Sequence, residues 1–404
     1  MKKTICELFA GVGGFRLGME RLNSGWETVW FSQWEPAHKK QAAHDCYVRH
    51  FGDCTDINGE YHTNEDITTV DKDMLPDHTL LVGGFPCQDY SVASPLSAAP
   101  GITGTKGMLW WQVRDILAAK QPAFCLLENV DRLLQSPKDQ RGRDFGLILG
   151  TFAEYGYHVE WRVINSAQYG AAQRRRRTFF FAYRKDTAYA AKMQFANAED
   201  VIRTDGLMAQ AFPVADMGEL MDTQLLGTLS DISDNFTFDF QNAGYMCDRH
   251  IYTVKAVEQE EAPITLGSVL EPNADSRYYI PANMIPRWEY LKGAKKIPRV
   301  AKTGFEYFFS EGAMAFPDAL DKPSRTLVTS EGKVDRTTHV IKDPVTGELR
   351  KLTPVELERL QGFDDNWTAG MSEHMRRFCM GNALVVPMVT RMGAVLDNII
   401  ADEP

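Results

Sequence analysis

Over the first 185 residues, short apolar runs alternate with amphipathic stretches. Thr4 to Leu8, Thr28 to Trp34, Leu80 to Val82, Phe124 to Leu127, Val159 to Ile164 and Thr178 to Tyr183 read as strands. Pro36 to His50 and Gly107 to Lys120 read as helices, the second stopped by Gln121-Pro122, because a proline disfavours helix in the residue before it. Strands alternating with helices predict βαβ units and an α/β fold, a doubly wound and mostly parallel sheet. From about 186 to 320 the alternation fades into Pro, Gly and scattered aromatics. That stretch is predicted to be a separate, mostly β or irregular domain. Helical periodicity returns at Thr353 to Leu360, with Thr353 as cap and Pro354 at the first helical position. A last helix, about Pro387 to Ile400, is expected to pack back on the first domain. The predicted division is therefore 1–185 completed by 379–404, and a smaller domain over 186–378.

The strand ends carry the candidate chemistry, since in open α/β sheets the ligand crevice lies at the carboxyl ends of the strands. Leu80-Leu81-Val82 leads into Gly84-Phe85-Pro86-Cys87-Gln88, and Phe124 to Leu127 delivers Glu128-Asn129-Val130. A thiol and a carboxylate would meet at one rim. Thr4 to Leu8 feeds the turn Phe9-Ala10-Gly11-Val12-Gly13-Gly14-Phe15, where glycines let a ligand approach the backbone closely. No Lys follows this turn and no Walker Lys-Ser/Thr is present, which suits a ligand without phosphates. Glu35, at the end of the second strand, suits a pair of ribose hydroxyls. Asp66, Asp53 and Asp56 are rival loop acids nearby.

Composition changes this picture only in places. At 404 residues the chain exceeds one small core. Seven cysteines without metal-type Cys-x-x-Cys spacing suit a reducing cytoplasm better than a disulfide framework, and no metal is expected. No stretch approaches the ~20 apolar residues of a membrane span. The net charge of −10 speaks against nucleic acid only if it is spread evenly, and it is not. Arg162 to Lys185 holds seven Lys or Arg and no acid. Arg287, Lys292, Lys295, Lys296, Arg299 and Lys302 form a second run with one acid, Glu289, while acids crowd into Asp216 to Asp239.

Taken in order, these motifs resemble the DNA (cytosine-5)-methyltransferases of bacterial restriction-modification systems and phages. The match spans nearly the whole chain, and only about 186–320 lacks a motif. The resemblance implies methyl transfer from S-adenosylmethionine (AdoMet) to C5 of a cytosine flipped out of duplex DNA. Cys87 would be the nucleophile, and Glu128 would bind cytosine N3 and its amino group. In Gln173-Arg174-Arg175-Arg176-Arg177, Arg177 would face the base and Arg175 a neighbouring phosphate, with Arg174 and Arg176 pointing oppositely. Phe9, Gly11, Gly13, Phe15, Ile67, Pro86 and Leu109 would line the cofactor, with Asp66 on the adenine amino group and Trp34 stacking. Asn382 and Ala383 match a late motif that closes this pocket, although the family often has Ser at the second position. Gln88 and Ser91 would touch DNA, and 89–106 would form a loop closing over the base. Target reading falls to about 186–320, where Arg287, Lys292, Lys295, Lys296 and Arg299 would hold phosphates. A cytoplasmic monomer acting on double-stranded DNA, paired with a cognate restriction endonuclease, is expected. A tRNA cytosine-5 methyltransferase on the same fold and a catalytically inactive DNA-binding regulator are the alternatives.

Overall fold

Strands that are apolar along their whole length need both sheet faces covered, and the chain places a helix after each of its first four strands. A computed structural model describes residues 1–85, 109–301 and 304–404. The expectations for Pro86, Cys87, Gln88, Ser91, the closing loop 89–106 and Lys302 lie outside the described residues. Two compact units emerge, one of Met1–Tyr169, Arg175–Ala262 and Leu384–Pro404, the other of Gly170–Arg174 and Pro263–Ala383.

The first unit is built on a nine-stranded sheet. Its strands are β1 (Thr4–Leu8), β2 (Glu27–Ser32), β3 (Leu80–Gly84), β4 (Phe124–Asn129), β5 (Tyr157–Asn165), β6 (Arg176–Arg184), β8 (Met221–Gln224), β9 (Ala243–Cys247) and β10 (His250–Val254), in the order β2-β1-β3-β4-β6-β5-β9-β10-β8. The α/β class expected from the sequence holds. β2, β1, β3 and β4 run parallel, and β6 then enters antiparallel to β4 and to β5. A small antiparallel pair, β7 (Val214–Met217) with β11 (Ala256–Glu258), forms a separate two-stranded sheet. Helices α1 (Gly14–Glu20), α2 (Ala42–Phe51), α3 (Trp110–Lys120) and α4 (Arg143–Glu154) follow their strands. Trp110, Ile116, Leu117, Phe145, Ile148 and Phe152 from α3 and α4 join Leu81, Cys125, Leu127 and Phe180 in one buried cluster. The helix Val386–Ala401 packs back as expected: a Cβ at Gly18 of α1 would fall 2.7 Å from Val389. The expected start of α2 at Pro36 moves to Ala42, because the Gln41 side chain binds the backbone of Glu35 and His38 and holds 35–41 as a turn. Among the described residues no single helix is long and apolar enough to cross a membrane.

The boundary expected near 185 differs from the observed one. Residues 186–262 belong to the first unit because β9 pairs with β5 from Val159↔Met246 to Arg162↔Ala243, and β10 and β8 extend the sheet beyond it. Gly244 is where Trp161 crosses β9; a Cβ there would lie 2.0 Å from the indole. Buried Arg162 donates to the carbonyls of Met208, Phe212 and Ile202, and Glu160 accepts from Tyr189 Oη at 2.8 Å and Met208 N at 3.0 Å. These bonds tie the insertion to β5.

The second unit holds the antiparallel pairs β12 (Lys295–Val300) with β13 (Glu306–Glu311) and β14 (Val340–Lys342) with β15 (Leu349–Lys351). Its helix Pro354–Gln361 starts as the sequence predicts: Thr353 and Glu356 form a reciprocal capping box. Buried Arg350 lies between Asp343 at 2.6 Å and Glu356 at 2.8 Å.

Arg162→Ala removes the donor shared by three buried carbonyls, and it should lower unfolding stability by roughly 3–5 kcal/mol in chemical denaturation. Lys192→Ala, on an exposed helix face, should change it by less than about 0.5 kcal/mol.

Candidate active site

The glycine turn after β1 adopts backbone angles few residues tolerate. Phe9, Gly11 and Gly13 have φ of 54°, 59° and 87°. At Gly11 an added Cβ would meet nothing within 4 Å, so its glycine serves conformation and leaves open space. At Gly13 a Cβ would lie 2.4 Å from Phe51 of α2, so its glycine also serves packing. Ala10 N donates to Ser32 O at 2.9 Å, and Gly11 N to Gln33 Oε1 at 2.6 Å. Phe15 is buried on α1.

Gln33 was missed by the sequence reading, which placed the ribose acid at Glu35. β2 ends at Ser32, so the first side chain beyond the strand is Gln33, and it is the one that reaches the glycine turn. Glu35 lies two residues further on, near His38 at 3.6 Å, and Trp34 between them is exposed. A polar side chain interrupting the apolar end of a strand was the available signal. Gln33 N donates to Thr63 O at 2.9 Å. Asp53 accepts from Thr63 Oγ1 at 2.6 Å, and Asp56 accepts from the amides of Asn58 and Glu60. Asp66 Oδ1 accepts from Thr68 N at 3.0 Å, and Ile67 beside it is buried. Leu109 is half-buried against the main core.

The carboxylate end of the site is set by register. Gly84 of β3 pairs with Glu128 of β4, and a Cβ on Gly84 would sit 3.1 Å from Glu128 Oε2. Asn129, buried, donates from Nδ2 to Phe85 O at 3.3 Å and accepts from Val130 N at 2.8 Å. It clips the end of β3, just before Pro86 and Cys87, to the end of β4. Arg177 of β6 closes the arrangement, with Nε 2.9 Å from Glu128 Oε1 and only 18% and 13% of the two side chains exposed.

The arginine run alternates as a strand edge should. Arg175 and Arg177 line one small cleft with Ser166, Phe179 and Met388, whereas Arg174 and Arg176 are exposed and Arg176 pairs with Asp131 at 3.1 Å. Arg175, expected to reach a phosphate, is instead 2% exposed. Asn382 and Ala383 end the helix Glu373–Asn382 of the second unit, where Ala383 N donates to Cys379 O. In the basic run, Arg287, Lys296 and Arg299 are exposed as expected. Lys292 is not: it is buried, donates to Thr338 O and lies over the Trp288 ring, and burial lowers its pKa to about 8. Lys295 is also turned inward, bonding Leu291 O at 3.1 Å and Glu311 at 3.3 Å. Both correct the expectation of phosphate contacts.

Among the described cysteines, burial raises the thiol pKa of Cys6 and Cys125, which keeps them protonated and poor nucleophiles. His158, Cys247 and Asp248 lie together at the opposite end of β5 from Arg177's partner residue Ile164, with Lys185 already neutralising Asp248.

An α/β sheet with a glycine turn, a carboxylate held by arginine at a strand end and a Pro-Cys after the neighbouring strand defines a methyltransferase of the pyrimidine C5 class. The model of the C-5 cytosine-specific DNA methylase family matches residues 3–398, and the chain belongs to that family. It is 48% identical over 404 residues to the type II methyltransferase M.Sau3AI of Staphylococcus aureus, covering 98% of this chain and 96% of that one. It is 26% identical to M.SsoII of Shigella sonnei, over 98% and 79% of the two chains. The fold is similar to that of the Entamoeba histolytica methyltransferase EhMeth, with a TM-score of 0.63 and 15% identity over 99% of both chains. Cytosine-5 methylation of DNA, the function expected from the sequence, is therefore the one this chain's family performs, and the tRNA and inactive-regulator alternatives are not favoured.

Beneath the glycine turn, Glu7 of β1 is fully buried, accepts from Tyr47 Oη at 2.9 Å, and has its pKa pushed up to about 7 by burial. Its ordinary value is 4.5. The folded state thus holds the proton more tightly, a contribution that is full below about pH 4.5 and lost as pH rises through about 7. Glu7→Gln should shrink the stability loss between pH 5 and pH 8 by about 1–3 kcal/mol, read from denaturant unfolding at the two pH values.

Proposed function

We propose that this chain methylates C5 of one cytosine within a short duplex DNA sequence, using AdoMet and a transient covalent bond from Cys87 to C6. The observation that carries the reading is the position of Glu128, at the end of β4 beside Gly84 and held by Arg177. A carboxyl there can bond the N3 and amino edge of a cytosine.

The glycine turn fits AdoMet, because an added Cβ at Gly11 would meet nothing within 4 Å and a ligand can approach the backbone there closely. Gly11, Gly13, Gln33, Asp66 and Ile67 would hold the cofactor. When bound it supplies the electrophilic methyl group. Cys87 adds its thiolate to C6, and the electrons of the C5–C6 double bond make C5 nucleophilic. Glu128 supplies the proton that N3 takes up as this happens. After C5 is methylated, loss of the C5 proton restores the double bond and breaks the S–C6 bond, which frees the thiolate. Arg177 keeps Glu128 oriented, and Arg175 is assigned a positioning role behind it. The target base must leave the stack for any of this to occur. Similarity to a protein named a type II methyltransferase supports a role as the modifying partner of a restriction endonuclease, in the bacterial cytoplasm where the DNA lies.

Transfer of radiolabelled methyl from AdoMet to a duplex pool, with tRNA in parallel, tests the reading. Label should enter duplex only. Cys87→Ser should abolish turnover while duplex affinity stays within a few-fold, and near wild-type turnover in that variant would make the assigned nucleophile wrong. Arg177→Ala should lower kcat by roughly 10²- to 10³-fold, the loss typical of one preorganised charged donor.

A further inference from the structure

At the end of the large sheet opposite Glu128, β5 and β9 bring together side chains that methyl transfer leaves unused. Antiparallel register sets Val159 against Met246. His158 therefore falls one step on, across from Cys247, and the two side chains share a face. A two-residue turn, Asp248-Arg249, then joins Cys247 to its partner His250 on β10. Both turn residues have positive φ, 47° and 67°, as so tight a hairpin turn requires. Arg249 anchors the turn by donating to Leu225 O at 3.0 Å and to Gly227 O at 2.6 Å. Asp248 is thereby returned towards His158.

His158 Nε2 lies 3.7 Å from Cys247 Sγ and 3.7 Å from Asp248 Oδ1, and Cys247 Sγ lies 3.9 Å from Asp248 Oδ2. Ligand atoms around one tetrahedral zinc ion stand about 3.4–3.6 Å apart, given bond lengths of roughly 2.0–2.3 Å. A small closure of the cluster would match that figure. His158 is buried, and its Nδ1 has no hydrogen-bond partner among the described residues. Burial lowers its pKa, which keeps the ring neutral and leaves one nitrogen able to coordinate. Positive charge is already drawn to this position, because Lys185 Nζ binds Asp248 Oδ1 and holds its carboxyl below the usual range. An imidazole beside a thiol suits a borderline-soft cation, whereas Mg²⁺ and Ca²⁺ take oxygen ligands.

We propose that His158, Cys247 and Asp248 bind one divalent cation of the zinc class, which displaces Lys185 from Asp248. On binding, the Cys247 S–H bond breaks, the proton leaves to solvent, and the sulfur electron pair forms the bond to the metal. Thiolate and carboxylate together then balance the two positive charges. Asp248 is exposed, so the fourth position opens to solvent and takes a water. The metal clamps the β9–β10 turn to the start of β5. It stands apart from the methyl-transfer site, since His158 is six residues from Ile164, the partner of Arg177, or about 20 Å along the strand. Cysteine spacing gives no sign of such a site, because His158 and Cys247 are 89 residues apart and only strand pairing joins them.

The test uses the full chain, stripped of metal with a chelator and titrated with Co²⁺ as a spectroscopic stand-in for zinc. Cobalt should bind one-to-one, with the near-ultraviolet charge-transfer band of a cobalt–thiolate bond. Zinc should displace it and raise the thermal midpoint of the wild-type chain, as a ligand of the folded state does. Cys247→Ser should lose both the band and the zinc-dependent rise. Asp248→Asn, a conservative change on an exposed turn, should weaken binding by roughly tenfold or more while the band remains. Lys185→Gln removes the competing cation and should tighten binding roughly 2- to 5-fold, the worth of one exposed ion pair. A wild-type chain without the band would overturn the proposal, and so would a band that survives Cys247→Ser. Weaker binding in Lys185→Gln would also overturn it, since the lysine would then be supporting the site.

Discussion

The pairing of β6 against β4 in opposite directions is the constraint on which the site depends. Parallel β1, β3 and β4 bring their carboxyl ends to one rim. Only a strand running the other way could bring its amino end, and with it Arg177, to the same place. Register then does the rest: Asn129 faces Thr178, and Arg177, one residue earlier, reaches back to Glu128 at 2.9 Å. Gly84 opposite Glu128 and Asn129 on Phe85 O fix the exit of β3 relative to this pair. A one-residue slip of β6 would turn Arg177 to the other sheet face and present Arg176 in its place.

Buried charge recurs wherever a segment must be held to a strand it does not follow in sequence. Arg162 and Glu160 capture 189–212 from β5, and Arg350 joins the turn at Asp343 to the helix start at Glu356 in the second unit. Such pairs contribute little net stability against apolar replacements. Their use here is geometric, since a guanidinium with several fixed acceptors has few alternative positions.

Much of this fold is legible in the chain. Thr4 to Leu8 is a strand with the expected bounds, and β3, β4, β5 and β6 each contain the run that predicts them, because fully buried strands announce themselves as continuous apolar stretches. Thr353 and Pro354 mark their helix start correctly, since capping is local chemistry. The insertion was not legible. β8, β9 and β10 are four or five residues long and antiparallel, and whether such strands extend an existing sheet or found another domain depends on a partner, β5, some eighty residues away. Side-chain direction was also hidden: Lys292 and Lys296 read alike in a basic run, yet one is buried and one exposed. Gln33 went unseen because acids, not amides, are the usual signal at that strand end.

The most direct test of the account is covalent trapping on duplex DNA that carries 5-fluorocytosine. Fluorine at C5 cannot leave as a proton does, so the enzyme should remain bonded to C6. With AdoMet present, the account expects a denaturation-resistant protein–DNA band that maps by peptide sequencing to Cys87 and disappears in Cys87→Ser. A band that maps to another residue, or none across a pool that the enzyme demonstrably methylates, would contradict it.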